Sequence, residues 1–132
     1  MNNTEPASTI PSQFAEIVAA RGGRDALVTA QGTLSYKELD RQTARMAMAL
    51  LELGAAKGTR VALMAPDGIL WITTFLASLR IGALITVVST LCTPRELAHI
   101  LRNSDTQIFI GARRFLNHDY AEKLVKALPD LC

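Results

Sequence analysis

The feature that most constrains this chain is a regular alternation of helix and strand patterns from Ser35 onward. Helix start signals, each a capping residue before apolar residues at helical spacing, occur at Ser35, Asp67, Thr93 and Asp119. Short apolar or β-branched runs between them predict strands over 60–64, 83–88 and 107–110. Strands joined through helices lie parallel in one sheet, with right-handed crossovers. The order therefore predicts an α/β fold, a three-layer αβα unit with a mostly parallel sheet.

Two of these helix starts carry the capping-box pattern, in which a Ser or Thr and a Glu three residues later bond each other's backbone amides. The pattern pairs Ser35 with Glu38 and Thr93 with Glu96. The helix after Ser35 is expected to bury one stripe, formed by Tyr36, Leu39, Thr43, Met46, Leu50 and Leu53. Upstream, the spacing predicts a short helix that ends at Gly22-Gly23 and a hairpin that turns at Gln31-Gly32.

Composition excludes several classes of protein. The net charge is +2 and is spread evenly, and aromatic residues make up only 5%. Nucleic-acid binders carry a basic stripe, and single-strand binders also carry stacking aromatics, so no nucleic-acid partner is expected. Two cysteines, Cys92 and Cys132, are too few for a disulfide framework and fit a reducing compartment. With no signal-peptide pattern at the N-terminus, the expected location is the cytoplasm.

The apolar segment 68–88 is about long enough to span a bilayer. Arg80 lies within it, and Arg80-Ile81-Gly82 has the form of a helix ending, because a basic residue in the last turn followed by Gly is a common stop. The segment is therefore interpreted as a buried helix followed by a buried strand, and no transmembrane segment is expected.

The strand ends, where ligands bind in parallel sheets, lack the glycine patterns that cradle phosphates. Gly54–Thr59 partly matches these phosphate-binding patterns. It precedes a strand, however, and is interpreted as a tight helix-to-strand connection. Asp67 could be a phosphoacceptor, although the acidic pair that such a site needs is missing, and it is interpreted as a helix cap. Trp71 is expected to pack in the core or at its rim, with a pocket-lining role at the sheet edge as the alternative.

The remaining polar candidates have no partners at ligand or catalytic spacing. His99 and His118 are interpreted as surface residues, because a metal-binding or catalytic histidine needs acidic or cysteine companions. Cys92 is interpreted as an inert small residue, since no cation near it in sequence would lower its pKa. Arg113-Arg114 is interpreted as a solvated turn, with anion binding as the alternative.

Six segments in order resemble the adenylate-forming (AMP-binding) superfamily, most closely its acyl-CoA synthetases. The opening Leu34–Leu39 resembles the family's (T/S)-Y-x-E-L. The other matching segments are Ala49–Leu63, Pro66–Gly68, Phe75–Ala83, Thr93–Leu101 and Ser104-Asp105. The chain departs from the family's v-P-l-n at Val87–Thr90, which lacks Pro and Asn. The resemblance covers roughly residues 12–132.

The resemblance implies that residues 12–132 are the first part of the large N-terminal domain, after a disordered leader over 1–11. In the family's order of motifs, the phosphate loop, the ribose-binding Asp and the C-terminal domain with the catalytic Lys would follow after Cys132. No catalytic, cofactor-binding or metal-binding residue is therefore assigned within this chain, which is expected to be a truncated, inactive scaffold.

The resemblance further implies that the parent is an acid–thiol ligase. Such enzymes use ATP and Mg²⁺ to convert a carboxylic acid into an acyl-adenylate, and the thiol of CoA then displaces AMP. The parent's partners would be the acid, ATP and CoA, none of which this part is expected to bind tightly. A homodimer through exposed apolar surface is also allowed. The alternation of helices and strands also allows a second function: a stand-alone flavodoxin-like binding or interaction module without catalysis.

Overall fold

The computed structural model describes residues 8–115 and 118–129. Its helices are α1 Ile10–Arg21, α2 Tyr36–Glu52, α3 Ile69–Arg80, α4 Pro94–Asn103 and α5 Tyr120–Ala127. Its strands are β1 Asp25–Thr29, β2 Gly32–Ser35, β3 Arg60–Met64, β4 Leu84–Val87, β5 Ile108–Gly111, β6 Arg114–Phe115 and β7 His118–Asp119. The alternation predicted from Ser35 onward is confirmed. The β6–β7 pair was not predicted, because strands of two residues leave no periodic pattern.

The central sheet has the order β4-β3-β5 with all pairs parallel, and β1 and β2 form a separate antiparallel hairpin. Side chains alternate along β3, so Ala62 and Met64 face the layer formed by α4 and α5. The opposite face of the sheet packs on α2 and α3, where Leu50 and Ala77 are fully buried beside Ile108 of β5. The predicted three-layer αβα fold is therefore confirmed.

Both capping boxes form as the sequence predicts. The Glu38 backbone N–H donates to the Ser35 hydroxyl at 3.2 Å, and the Ser35 N–H donates to the Glu38 carboxylate at 2.8 Å. Thr93 and Glu96 make the same two bonds at 3.2 and 2.7 Å. Each box satisfies two amides that a helix start otherwise leaves unpaired.

The predicted cap at Asp67 is wrong. Helix α3 begins at Ile69 with Gly68 as its N-cap, and no side chain bonds to its first amides. Gly68 has φ 158° and ψ −166°, a backbone region that essentially only glycine occupies. This extended glycine places Asp67 one residue too early to reach the helix amides.

Two boundaries also differ from the expectation. Helix α1 begins at Ile10, inside the leader expected over 1–11, because Thr9 and Ser12 form a further capping box with Pro11 in the first turn. Residues 1–7 of that leader, and Cys132, lie outside the described residues. Leu53 was expected in the buried stripe of α2 but is 64% exposed, because the helix ends at Glu52.

The apolar segment 68–88 divides into helix and strand as predicted. The strand was expected to be buried, which is wrong: β4 lies at the edge of the sheet, and Leu84 and Val87 are 60% and 49% exposed. Helix α3 ends in a Schellman motif: the Ala83 N–H donates to the Ser78 carbonyl, and Gly82, with φ 75°, donates to the Leu79 carbonyl. Within residues 8–115 and 118–129, no helix is long and apolar enough to cross a membrane.

Hydrogen bonds connect the loops at the amino ends of the three parallel strands. The Gly58 N–H donates to the Gly82 carbonyl at 2.8 Å, which joins the loops before β3 and β4. At the start of β3, the Arg60 N–H donates to the Gln107 side chain at 3.0 Å and its guanidinium donates to the Asp105 carbonyl at 2.8 Å. A Cβ added at Gly82 would lie 3.2 Å from the Lys57 side chain. We call this side of the sheet the amino edge.

Helices α2 and α3 pack on each other through small polar residues and one ion pair between Asp40 and Arg80. Thr43 on α2 and Thr74 on α3 are fully buried, and their hydroxyls bond to no described group. Next to Thr74, the buried Thr73 hydroxyl donates to the Ile69 carbonyl at 2.7 Å. A buried hydroxyl without a partner destabilises the fold, because it has lost its hydrogen bonds to water. A paired hydroxyl regains a hydrogen bond inside the protein.

These adjacent threonines give a matched test. We expect Thr74→Val to raise the free energy of unfolding by about 1 kcal/mol, because it removes an unpaired buried hydroxyl at nearly constant volume. Thr73→Val should lower it by about 1 kcal/mol, because a hydrogen bond is lost. Urea denaturation of both variants measures the difference. Equal effects of the two substitutions would contradict the assigned pairing.

The capping box at α2 predicts a pH dependence. The hydrogen bond from the Ser35 backbone N–H, followed by that with the Ser35 hydroxyl, holds the pKa of Glu38 below its ordinary value of 4.5. A carboxyl whose pKa falls on folding stabilises the fold above its unfolded pKa, and this stability is lost as pH falls through the folded pKa. Glu38→Gln should therefore destabilise the protein at pH 7, and the gap to wild type should close as pH falls below 4.5.

The measurement is the free energy of unfolding of both proteins between pH 7 and the acid range. Ser35→Ala serves as the companion variant and should cost about 1 kcal/mol at pH 7, the usual value of an N-cap. A gap between Glu38→Gln and wild type that stays constant with pH would show that the carboxylate does not act through its charge.

Candidate functional site at the carboxyl edge of the sheet

The carboxyl ends of the three parallel strands meet at one edge, where ligands bind in folds of this kind. We call it the carboxyl edge. A cleft of about 500 Å³ lies there between Asp67, Trp71 and the segment 87–90. A second cleft of about 530 Å³ shares Asp67 and Trp71 but is closed by residues 27–31 of the β1–β2 hairpin. Sequence reasoning identified the strand ends and the hairpin, but it did not place the hairpin beside this cleft, because that position depends on tertiary packing.

Trp71 separates these two clefts. It lies in the first turn of α3, is half-buried and stacks on Phe75 one turn later, with ring centroids 5.1 Å apart and planes within 13°. Trp71 therefore both packs at the rim of the core and lines the clefts, so the interpretation and its alternative hold together. Its stacked ring offers a flat apolar wall to either cleft.

Asp67 is exposed at the point where the two clefts meet. Its carboxylate makes no hydrogen bond or ion pair with the described part of the chain. No group of three His, Cys, Asp or Glu side chains that could hold a metal ion occurs within 8–115 and 118–129. A receiver-type phosphoacceptor needs an acidic pair beside the acceptor aspartate, and the described residues place no such pair at Asp67.

The glycine-containing loop Gly54–Thr59 does not fit the phosphates of ATP. Five of its six backbone amides donate hydrogen bonds within the chain, among them Ala56 to the Thr59 hydroxyl at 2.9 Å. Gly54 and Gly58 have φ of 91° and 84°, and these positive values, which glycine adopts easily, allow the chain to turn. The loop lies at the amino edge of the sheet, opposite the clefts. It is the tight helix-to-strand connection that the sequence predicts.

Cys92 lies at the base of a third cavity, of about 610 Å³, formed by the loop after β4 and the start of α4. Its lining residues are Ser89, Leu91, Cys92, Arg95, Glu96, His99 and Ile100. Burial raises the pKa of the Cys92 thiol, Lys123 opposes this rise and Glu96 adds to it. A raised thiol pKa leaves little thiolate at neutral pH, so the geometry favours the inert role over a nucleophile.

Lys123 is a functional neighbour of this loop that sequence reasoning missed. Its ammonium donates to the Thr90 carbonyl at 3.1 Å and lies 5.5 Å from the centre of the Tyr120 ring. The bond to Thr90 fastens α5 to the loop after β4, and the lysine brings a positive charge near Cys92. The contact with Tyr120 lies within α5 itself. The two segments are 33 residues apart, so no local pattern could have indicated the contact.

The other candidates do not come together into a reactive group. His99 is exposed on α4, and His118 is exposed on β7, stacked on Tyr120 with centroids 6.3 Å apart. Arg114 pairs with Asp119 at 2.9 Å across the β6–β7 ladder, which replaces the simple solvated turn expected at Arg113-Arg114. Arg113 itself is exposed.

Comparison with known proteins identifies the fold and the family. The family described as AMP-binding enzyme matches residues 14–132. The acyl-CoA ligase sidI of Aspergillus fumigatus is 33% identical over 72% of this chain, and the putative acyl–CoA ligase YdaB of Bacillus subtilis is 34% identical over 81%. A benzoate CoA ligase from Burkholderia xenovorans superimposes on 93% of the chain with a TM-score of 0.83 at 24% identity.

The chain therefore belongs to the AMP-binding enzyme family, and its fold is the first part of the large N-terminal domain of adenylate-forming enzymes. It spans 16% and 20% of the length of the two curated relatives and 24% of the benzoate ligase. The stand-alone flavodoxin-like module expected as the alternative finds no support in these comparisons.

The environment of Cys92 predicts how its thiol reacts. In a Cys132→Ser background, we expect Lys123→Met to move the pH–rate profile of thiol alkylation to higher pH, because the variant loses the charge that lowers the Cys92 pKa. Lys126→Met is the matched control, since Lys126 lies on the same helix but pairs with Glu122. Iodoacetamide kinetics measure the profile. A shift to lower pH, or the same shift in both variants, would contradict the assignment.

Proposed function

We propose that this chain is the N-terminal scaffold of an acid–CoA ligase. The parent would activate a carboxylic acid with ATP as an acyl-adenylate and transfer the acyl group to CoA. The observation that carries the proposal is the family match over residues 14–132, together with curated relatives that are named acyl-CoA ligases. The compact three-layer core, built from the same residues, supports a scaffold role.

Within this proposal, the chain itself performs no step of the reaction. Nucleotidyl transfer depends on amides, a lysine and a metal that stabilise charge on the phosphates. Five of the six Gly54–Thr59 amides are already bonded within the chain, and Asp67 belongs to no carboxylate cluster among the described residues. ATP, Mg²⁺ and CoA would be bound by the remainder of the parent.

The contribution of this part would be to fix a wall of the ligand clefts. Trp71 and Phe75 form a stacked pair on α3, and the Lys123–Thr90 bond holds the loop after β4 against α5. Rigid walls of this kind position a substrate and exclude water from it. The cysteine usage favours a reducing compartment, and we assign the parent to the cytoplasm.

The test is carboxylate-dependent exchange of labelled pyrophosphate into ATP. We expect the 132-residue chain alone to give no exchange, because the phosphate-binding loop that the reaction requires is assigned to the rest of the parent. The protein translated from the whole reading frame that contains residues 1–132 should exchange with at least one acid from a panel of fatty, aromatic and cyclic acids. Reactions without acid give the background.

Two results would contradict the proposal. One is a whole reading frame whose folded product is inactive with every acid in the panel. The other is a stop codon directly after Cys132, which would leave a scaffold without the residues that the reaction requires.

A further inference from the structure

The loop after β4, residues 88–92, is fixed at both of its ends. At its start the Val88 N–H donates to a carbonyl of β3 at 2.8 Å, and at its end Thr93 caps helix α4. Val88 and Cys92 are buried in the same cluster as Tyr120 of α5. The two ends of the loop are therefore anchored in the core that α5 covers.

The middle of this loop depends on a different contact. Its own hydrogen bonds are local: the Leu91 N–H donates to the Ser89 hydroxyl at 3.2 Å, and the Cys92 N–H donates to the Ser89 carbonyl at 3.3 Å. The Lys123 ammonium donates to the Thr90 carbonyl at 3.1 Å. Among the residues that the structure describes, this is the one hydrogen bond that joins the middle of the loop to another helix or strand.

The same loop forms a wall of the cleft of about 500 Å³ at the carboxyl edge. Residues 87–90 lie on one side of this cleft, and Asp67 and Trp71 lie on the other. Thr90 is thus held by Lys123 and lines the cleft as well. A change in the position of Thr90 would change the width of the cleft.

The lining of this cleft favours an apolar ligand over a phosphate. Five of its eight lining residues are apolar, namely Ala65, Pro66, Trp71, Val87 and Val88. The exposed carboxylate of Asp67 would repel phosphate groups. Among the substrates of the proposed reaction, ATP and CoA carry phosphates, so the carboxylic acid is the one whose body fits this lining.

We propose that Lys123 is a positioning residue for the acid substrate. Its bond to the Thr90 carbonyl fixes the loop after β4 as a wall of the Trp71 cleft, and this cleft holds the apolar body of the acid. The inference rests on the proposed function and adds the substrate that the cleft holds and the residue that sets its width. Lys123 does not line the cleft and acts through the loop. A charged donor suits this role, because its hydrogen bonds are stronger than those of neutral donors.

Trp71 reports the position of the loop, because it is the only tryptophan in the sequence and lines the same cleft. In the 132-residue chain, we expect Lys123→Met to raise the quenching constant of Trp71 fluorescence by acrylamide, since the freed loop no longer shields the ring. Lys126→Met is the matched control and should leave the constant unchanged. It removes the same charge from the same helix, at a side chain that pairs with Glu122. Lys123→Arg keeps a charged donor for the Thr90 carbonyl and should restore the wild-type constant.

Urea denaturation of each variant establishes that the quenching is measured on folded protein. Equal quenching constants for wild type and Lys123→Met would overturn the inference. The same increase in Lys123→Met and Lys126→Met would overturn it too, because a loss of charge anywhere on α5 would then explain the result.

The second measurement is the exchange kinetics of the protein translated from the whole reading frame, with an acid from the panel that supports exchange. Lys123→Met should raise the KM for the acid about tenfold, the usual effect of losing a charged hydrogen bond. It should leave kcat and the KM for ATP within about twofold of wild type, because a wall against the unreactive body of the acid stabilises the ground state and the transition state equally. Lys126→Met should keep the wild-type values, and Lys123→Arg should recover most of the KM for the acid.

The kinetic outcomes separate this inference from the proposed function. A wild-type parent that is inactive with every acid would remove the proposed function, and the acid site with it. An active wild type whose KM for the acid is unchanged by Lys123→Met would overturn the inference alone. A fall in kcat at constant KM for the acid, or equal rises in KM for the acid and for ATP, would also overturn it, because neither result reports a wall against the acid.

Discussion

Burial of β3 on both faces and both edges is the constraint on which the rest of the structure depends. Val61, Ala62, Leu63 and Met64 are all essentially inaccessible to solvent, and β3 alone pairs with both other strands of the central sheet. A strand in this position needs apolar side chains on both faces, and helices must cover both faces. The layers on either side, α2 with α3 and α4 with α5, follow from that requirement.

The direction of β3 also decides where ligands can approach. All three strand ends open toward one edge, and the two clefts at Asp67 and Trp71 lie there. This edge offers shape and an aromatic wall but no cluster of reactive groups among the described residues. Under the proposed function, this part of the parent would contribute geometry, and the groups that act on phosphates would come from the rest of the parent.

Local patterns predicted most of the fold, and contacts between distant segments were the part that they could not predict. The boxes at Ser35 and Thr93 depend on residues three apart, so they are visible in the sequence. The predicted cap at Asp67 is wrong because α3 starts at the backbone of Gly68, with no side chain as its cap. The position of Lys123 beside Thr90 and Cys92 depends on how α5 packs, and no spacing rule reports it.

The hydrogen bonds at the amino edge determine where the lengths of the loops can change during evolution. Because Gly58 bonds Gly82, and Arg60 bonds Gln107 and Asp105, the loops that enter β3, β4 and β5 share partners. An insertion in one of them would misplace the others, so their lengths are fixed together. Among the residues that the structure describes, no hydrogen bond of this kind joins the loops that leave β3, β4 and β5 to one another. Insertions and deletions can therefore accumulate at the carboxyl edge, where a new ligand specificity can arise while the strand register stays the same.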